Sequence, residues 1–229
     1  MALVIQRHGS SRTFTAEKLL VATGRCPAIS ALGLERAGVE IDSAGAVRVD
    51  RTLHTNVPHI WAAGDVIGRE AESQMATPVG AHDGKIAAHN ALSGESPREV
   101  DHSVVPRTIF TDPQVAIVGL TDEEAVAAGI ECSCNTIPLS VVPRAGAIRD
   151  TRGVIKMVLD AQTRRVVGVS MLGTNAGEVI HEAAMALRFG ATTDDFIDLI
   201  HVYPTMAEAL KLVAISFTKD VNRLSCCAT

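Results

Sequence analysis

Thr55-Asn56-Val57-Pro58-His59-Ile60-Trp61-Ala62-Ala63-Gly64-Asp65 is the stretch on which the fold turns. Asn56-Val57-Pro58 leads into Ile60 to Ala63, an apolar run that reads as a buried strand. Gly64 ends it and lets the backbone approach a ligand closely. Asp65 follows as a carboxylate acceptor suited to a sugar-like hydroxyl. Upstream, Ala46 to Val49 also reads as a strand, and Leu32 to Ala37 as one helical turn stopped by Gly38. Lys18 to Ala22 predicts a buried strand closed by Thr23-Gly24. Ala2 to Gln6 and Ser11 to Thr15 read as short strands around His8-Gly9-Ser10. Downstream, the apolar spacing of Val79, Ala81, Ile86, Ala87, Ala88 and Ala91 predicts a helix from Thr77 to Leu92. Ser93-Gly94-Glu95-Ser96-Pro97 ends it and marks a domain boundary.

Beyond that boundary the pattern alternates between strand and helix. Strands are expected at Arg107 to Phe110, Val115 to Leu120, Cys132 to Leu139, Val154 to Leu159 and Val166 to Leu172. Thr121 with Glu124 forms a capping box that opens a helix, and Gly129 stops it. Further helices are expected over Glu178 to Phe189, Thr192 to Ile200 and Thr205 to Thr218. The fold class is therefore α/β in the first part and α+β in the second.

The totals narrow the function. Of 229 residues, 47% are hydrophobic and only 3% aromatic, so aliphatic side chains fill the core. Net charge is −5 with no basic run, which argues against nucleic acid or an anionic membrane as partner. No apolar run approaches the ~20 residues of a membrane span, and the N-terminus lacks a secretory pattern. Five cysteines, two of them adjacent, make a poor disulfide framework and suit a reducing cytoplasm. The chain has no G-x-G-x-x-G, no G-x-x-x-x-G-K-[ST], no C-x-x-C and no C-x4-C. A nucleotide-dependent redox reaction would need further residues upstream.

Four motifs nevertheless occur in one order. Leu19-Leu20-Val21-Ala22-Thr23-Gly24-Arg25 with Pro27 resembles the ATGR-P stretch of two-dinucleotide-binding flavoproteins. Thr55 to Asp65 resembles the T-x-x-P-x-I-[YW]-A-x-G-D box of the same family. Ala76-Thr77-Pro78-Val79 resembles its flavin-contacting segment. Phe110-Thr111-Asp112-Pro113-Gln114-Val115 with Val118-Gly119-Leu120-Thr121 resembles the opening of its dimerisation domain. The resemblance covers nearly the whole chain. It implies a tail end of an NAD(P)H-binding domain over 1–24, the C-terminal part of an FAD-binding domain over 25–102, and an α+β dimerisation domain over 103–229. It further implies FAD bound by Thr23, Gly24, Gly64, Asp65 and the backbone N–H of Thr77, NADPH as reductant, and a homodimer formed through 103–229.

Two local features resemble mercuric reductases within that family. In His201-Val202-Tyr203-Pro204-Thr205-Met206-Ala207-Glu208, Tyr203 stands where disulfide reductases carry a His that protonates a leaving thiolate. A phenol near pKa 10 is a poor proton shuttle at neutral pH. Pro204 sets the register against His201. The tail ends in Ser225-Cys226-Cys227-Ala228-Thr229. Adjacent cysteines form a disulfide only with strain, and soft thiolates favour soft metals. The resemblance implies that Cys226 and Cys227 capture Hg(II) from small-thiol complexes, with Tyr203 helping to hold it at a buried dithiol. Hg(II) is then the substrate and metal.

Plainer readings stand beside these. Thr205 and Glu208 are spaced as a capping box, Tyr203 could be an interface aromatic, and Gly64-Asp65 a turn. Cys132 and Cys134 share a strand face and read as free thiols, with a metal site the sharper alternative. Cys26 reads as packing. A thioredoxin-reductase-like enzyme is the rival activity, but it needs the His that Tyr203 replaces. A non-catalytic dimerisation module with a metal-binding tail is the rival from outside enzymology.

Overall fold

The computed structural model describes residues 1–68, 73–93 and 96–223. Cys226, Cys227, Gly94 and Glu95 lie outside the described residues. The chain divides into two compact units, Met1–Val100 and Asp101–Thr229.

The first unit opens with β1 (Ala2–Arg7) paired antiparallel to β2 (Ser10–Thr15), in register from Ala2 opposite Thr15 to Arg7 opposite Ser10. His8 and Gly9 connect them, with φ of 48° and 77°. A two-residue hairpin loop with both φ positive matches the twist of its strands. The expected strand at Lys18 to Ala22 is absent. Leu20 and Val21 are instead 88% and 73% exposed. A buried strand needs hydrogen-bonded neighbours, and no described strand pairs with this run.

Helix α1 (Leu34–Ala37) is the single turn foreseen, closed by Gly38. The strands expected at 46–49 and 60–63 reduce to isolated bridges, Ile41 with Val47 and His54 with Trp61. Side-chain bonds add to the scattered backbone bonds of this region, such as Val47 N–H to the Val66 carbonyl and Ala62 N–H to the Leu53 carbonyl. Asp50 Oδ1 accepts from the Thr52 and His54 amides at 2.8 and 3.1 Å. Thr55 Oγ1 donates to the Ile60 carbonyl at 2.9 Å and accepts from the Val57 amide at 3.1 Å. Such side-chain bonds turn the backbone before a ladder can form. Helix α2 (Thr77–Ser93) follows the expected span and buries Val79, Asp83 and Ala87, four residues apart on one face. Ala87 joins Leu53 and Ile67 in a small core flanked by Trp61, Ala62 and Ala63.

The second unit is a five-stranded antiparallel sheet in the order β3-β4-β7-β6-β5. Its strands are β3 (Arg107–Ile109), β4 (Gln114–Gly119), β5 (Cys132–Pro138), β6 (Val154–Asp160) and β7 (Val166–Gly173). All five were legible from alternation, to within a residue or two at each end. The helices are α3 (Asp122–Ala127), α4 (Pro143–Ala147), α5 (Ala176–Arg188), α6 (Thr193–Asp198) and α7 (Glu208–Ile215). Only α4 was not foreseen; at five residues it is too short to carry a period.

The α3 capping box forms as spaced: Thr121 Oγ1 accepts from the Glu124 amide at 3.1 Å, and Glu124 Oε2 accepts from the Thr121 amide at 2.9 Å. One sheet face carries the core. Ile155 and Met157 of β6 sit opposite Met171 and Val169 of β7 and pack with Val179, Ile180 and Ala183 of α5 and Leu210, Val213 and Ala214 of α7.

Candidate functional site

Within the first unit, the segments singled out by sequence meet around Arg25. Gly24, at φ 75°, turns the chain, and the Arg25 guanidinium donates to the Met75 carbonyl. The same group lies 3.9 Å from the Asp65 carboxylate. The two side chains are 66% and 48% exposed, so this ion pair contributes little, roughly 0–1 kcal/mol, and releases easily. Ser73 is buried and links the same segments: its hydroxyl donates to the Gly64 carbonyl at 3.2 Å and accepts from the Met75 amide at 3.3 Å. Thr77 opens α2 on the surface, where the first-turn amides lack intrahelical acceptors.

Gly64 also meets a helix backbone. Its φ is 81°, and a Cβ there would lie 3.6 Å from the Gly80 Cα, while a Cβ on Gly80 would lie 3.2 Å from the Gly64 Cα. Two glycines thus let the Gly64–Ile67 turn sit against α2. The close approach is to a helix backbone and sets where Asp65 stands.

An exposed carboxylate, a guanidinium and a helix N-terminus on one shelf suit a ligand carrying both hydroxyls and negative charge. These residues fit the ribityl and phosphate chemistry of FAD. Sequence reasoning assigned Thr23 and passed over Arg25. Thr23 is exposed; Arg25 is the residue whose side chain joins the segments. Its signal was available as the cation of the ATGR motif. Cys26, expected to pack, is exposed.

In the second unit, the run from Leu199 to Glu208 separates its two candidate rings. His201 is 5% exposed; its Nε2 lies 2.8 Å from Glu182 Oε1 of α5, and its Nδ1 lies 3.2 Å from the Leu199 carbonyl oxygen. Tyr203, joined to Pro204 by a cis peptide, is 51% exposed. Glu208 Oε2 accepts from the Thr205 amide at 3.2 Å, which is half of the expected capping box. The other half does not form, because α7 begins at Glu208 and the Thr205 hydroxyl is buried without a partner.

Around this run the surface is apolar. Ile200 is 92% exposed, Val202 77% and Phe189 77%. Met185, Ala186, Phe189, Phe196 and Leu199 line a groove of 310 Å³. Among the described residues no helix is long and apolar enough to cross a membrane.

This architecture, part of a dinucleotide-binding domain followed by an antiparallel dimerisation domain, defines a two-dinucleotide-binding oxidoreductase class. Residues 3–84 match the model for the pyridine nucleotide-disulphide oxidoreductases, and residues 105–214 match the model for the dimerisation domain of the same family. The chain belongs to the pyridine nucleotide-disulphide oxidoreductase family. It is 42% identical over 224 residues to a mercuric reductase of Bacillus cereus, covering 98% of this chain and 35% of that protein. It is 37% identical to a dihydrolipoyl dehydrogenase of Vibrio cholerae, covering 97% of this chain and 46% of that one. The HOCl-induced flavoprotein disulfide reductase RclA from Escherichia coli superposes with a TM-score of 0.80 at 33% identity, over 94% of this chain and 48% of that one. The chain thus spans less than half the length of each of these relatives.

Proposed function

We propose that this chain is the C-terminal portion of an FAD-dependent NADPH:mercury(II) reductase, with residues 1–24 ending an NAD(P)H-binding domain, 25–102 belonging to an FAD-binding domain and 103–229 forming the dimerisation domain. The observation that carries the reading is the separation of His201 from Tyr203. The imidazole is buried and committed to Glu182, while the phenol beside Pro204 is half-exposed. A disulfide reductase needs an imidazole at the open position; a metal-ion reductase does not. The 42% identity to a mercuric reductase supports the same choice.

Gly64 and Asp65, Arg25 and the Thr77 amide would hold FAD, with Asp65 accepting from hydroxyls. When bound, FAD would pass two electrons from NADPH to Hg(II), so that NADPH and Hg(II) become NADP⁺, H⁺ and Hg(0). Cys226 and Cys227 would take Hg(II) from small-thiol complexes and pass it to a dithiol of the partner subunit beside Tyr203. Each exchange makes one Hg–S bond as another breaks, so a bare cation never forms. The exposed apolar surface around Ile200, Val202 and Phe189 supports a homodimer. The cytoplasm is the proposed compartment.

The test is a chimera in which residues 1–229 replace the matching portion of the Bacillus cereus mercuric reductase. Visible flavin absorbance reports assembly. Hg(II)-dependent NADPH oxidation is expected, with little turnover of a disulfide. Tyr203→Phe should cut Hg(II) turnover without changing flavin content. A flavin-loaded chimera that reduces lipoamide or glutathione disulfide and ignores Hg(II) would sink the proposal in favour of a disulfide reductase.

A further inference from the structure

Outside the residues used above, one pair of nucleophiles has no packing explanation. Cys132 and Cys134 occupy alternate positions on β5, the edge strand of the sheet. Alternate residues point to the same face. Asn135 and Ile137, on the opposite face, are the ones turned inward: Asn135 Nδ2 donates to the Ser216 carbonyl at 2.9 Å, and Ile137 is in the core. A cysteine kept for packing behaves as a small buried hydrophobe. Here Cys134 is exposed and Cys132 half-buried, and both are free thiols.

Both side chains have polar neighbours. The Cys132 thiol donates to the Asp122 carbonyl oxygen at the start of α3, with Sγ 3.8 Å from it. Lys156 of β6 stands diagonally across from Cys134, since Lys156 pairs with Thr136 and Val158 with Cys134. Its ammonium donates to Asp122 Oδ1 at 2.5 Å. The Lys156 pKa is raised above its ordinary value, first by that bond and further by attraction to Cys134.

Spacing decides what the pair can do. Two residues along a strand span about 6.7 Å. A disulfide requires Cβ atoms about 3.8 Å apart, so this pair resists closing one. Two metal–thiolate bonds of about 2.3 Å each, set nearly in line, span about 4.6 Å. Rotation of both side chains about χ1 towards each other covers that difference.

We propose that Cys132 and Cys134 form a chelating dithiolate site for one soft, two-coordinate metal cation, on the α3 side of the dimerisation domain. Two metal–sulfur bonds form as two thiol protons leave, and no electron is transferred. The site goes beyond the reductase reading and does not rest on it, because it concerns binding with no turnover.

The test uses the full 229-residue chain carrying Cys26→Ser, Cys226→Ala and Cys227→Ala, which leaves Cys132 and Cys134 as the only thiols. Mercuric chloride is added in the presence of excess glutathione. Bound mercury, free thiols and sulfur-to-mercury ultraviolet absorbance are measured after desalting. One Hg(II) per chain is expected, with both thiols lost together. Adding Cys132→Ser or Cys134→Ser should weaken retention about 100-fold, the loss expected when an intramolecular second ligand is removed. Circular dichroism checks the fold, and Cys134→Ser changes an exposed side chain, so at least one variant remains readable. Two Hg(II) per chain, single variants that retain mercury as well as the pair, or no retention at all would each overturn the site.

Discussion

His201→Ala separates a structural histidine from a proton carrier. The side chain is 5% exposed, with Nε2 2.8 Å from the Glu182 carboxylate and Nδ1 3.2 Å from the Leu199 carbonyl oxygen. A hydrogen bond to a charged group contributes about 1.5–3 kcal/mol. Glu182 keeps 30% of its side chain in water and can rehydrate when the ring is gone, which places the loss near about 2 kcal/mol. With a urea dependence of about 2 kcal/mol per molar, the unfolding midpoint should fall by about 1 M. His201→Gln keeps one donor and should lose roughly half as much. Far-UV circular dichroism follows the transition. The emission of Trp61, in the first unit, should move at an unchanged midpoint. In the mercuric reductase chimera, Hg(II) turnover per folded flavin should stay within about twofold, since a structural loss acts on stability rather than on the barrier. An unchanged urea midpoint together with a collapse of turnover would refute this reasoning and make His201 the proton carrier.

Other substitutions probe the remaining joints. Gly80→Ala should leave α2 as stable or gain up to about 1 kcal/mol in helix propensity. Its Cβ, 3.2 Å from the Gly64 Cα, should displace Asp65 and lower the flavin-to-protein absorbance ratio of the chimera. Asp150 accepts from Arg152 Nε at 2.8 Å and from the Thr174 hydroxyl at 2.6 Å, and Arg152 foremost holds its pKa well below the ordinary 3.8. A depressed carboxylate stabilises the fold above its unfolded pKa and stops doing so as pH falls through the folded value. Asp150→Asn should therefore have a lower urea midpoint than the parent at pH 7, and the gap should shrink below about pH 4. Glu208→Gln keeps an acceptor for the Thr205 amide and should change the thermal midpoint little, whereas Glu208→Ala should cost about 1 kcal/mol in the same melt.

The sheet of the second unit was legible because one face is buried and the other is not, so Ile155 and Met157 alternate with Lys156 and the strand period is written in the sequence. The α3 box was legible because both partners lie within four residues. The first unit was harder to read for a physical reason. Leu19-Leu20-Val21-Ala22 has the composition of a central strand, but such a strand exists only between neighbours, and the described residues supply none. Composition reports what a segment could bury, and partners decide whether it does. Arg25 was visible in its motif but its contacts were not, for a related reason: those with Asp65 and Met75 cross 40 and 50 residues of chain, and no local spacing encodes them.

The Thr205–Glu208 half-box bears on the proposed reading of Tyr203, which would stand where a disulfide reductase carries a histidine. Here Glu208 accepts from the Thr205 backbone amide, a partner present whatever side chain occupies position 203. The run from Leu199 to Glu208 is thus held at both ends by groups outside position 203: by His201 against Glu182 at one end and by Glu208 at the other. The Tyr203 side chain is half-exposed, so under the proposed reading a phenol in place of an imidazole would change the chemistry offered at the surface. Under the proposed reading, such a substitution would shift substrate preference through the site and not through the fold.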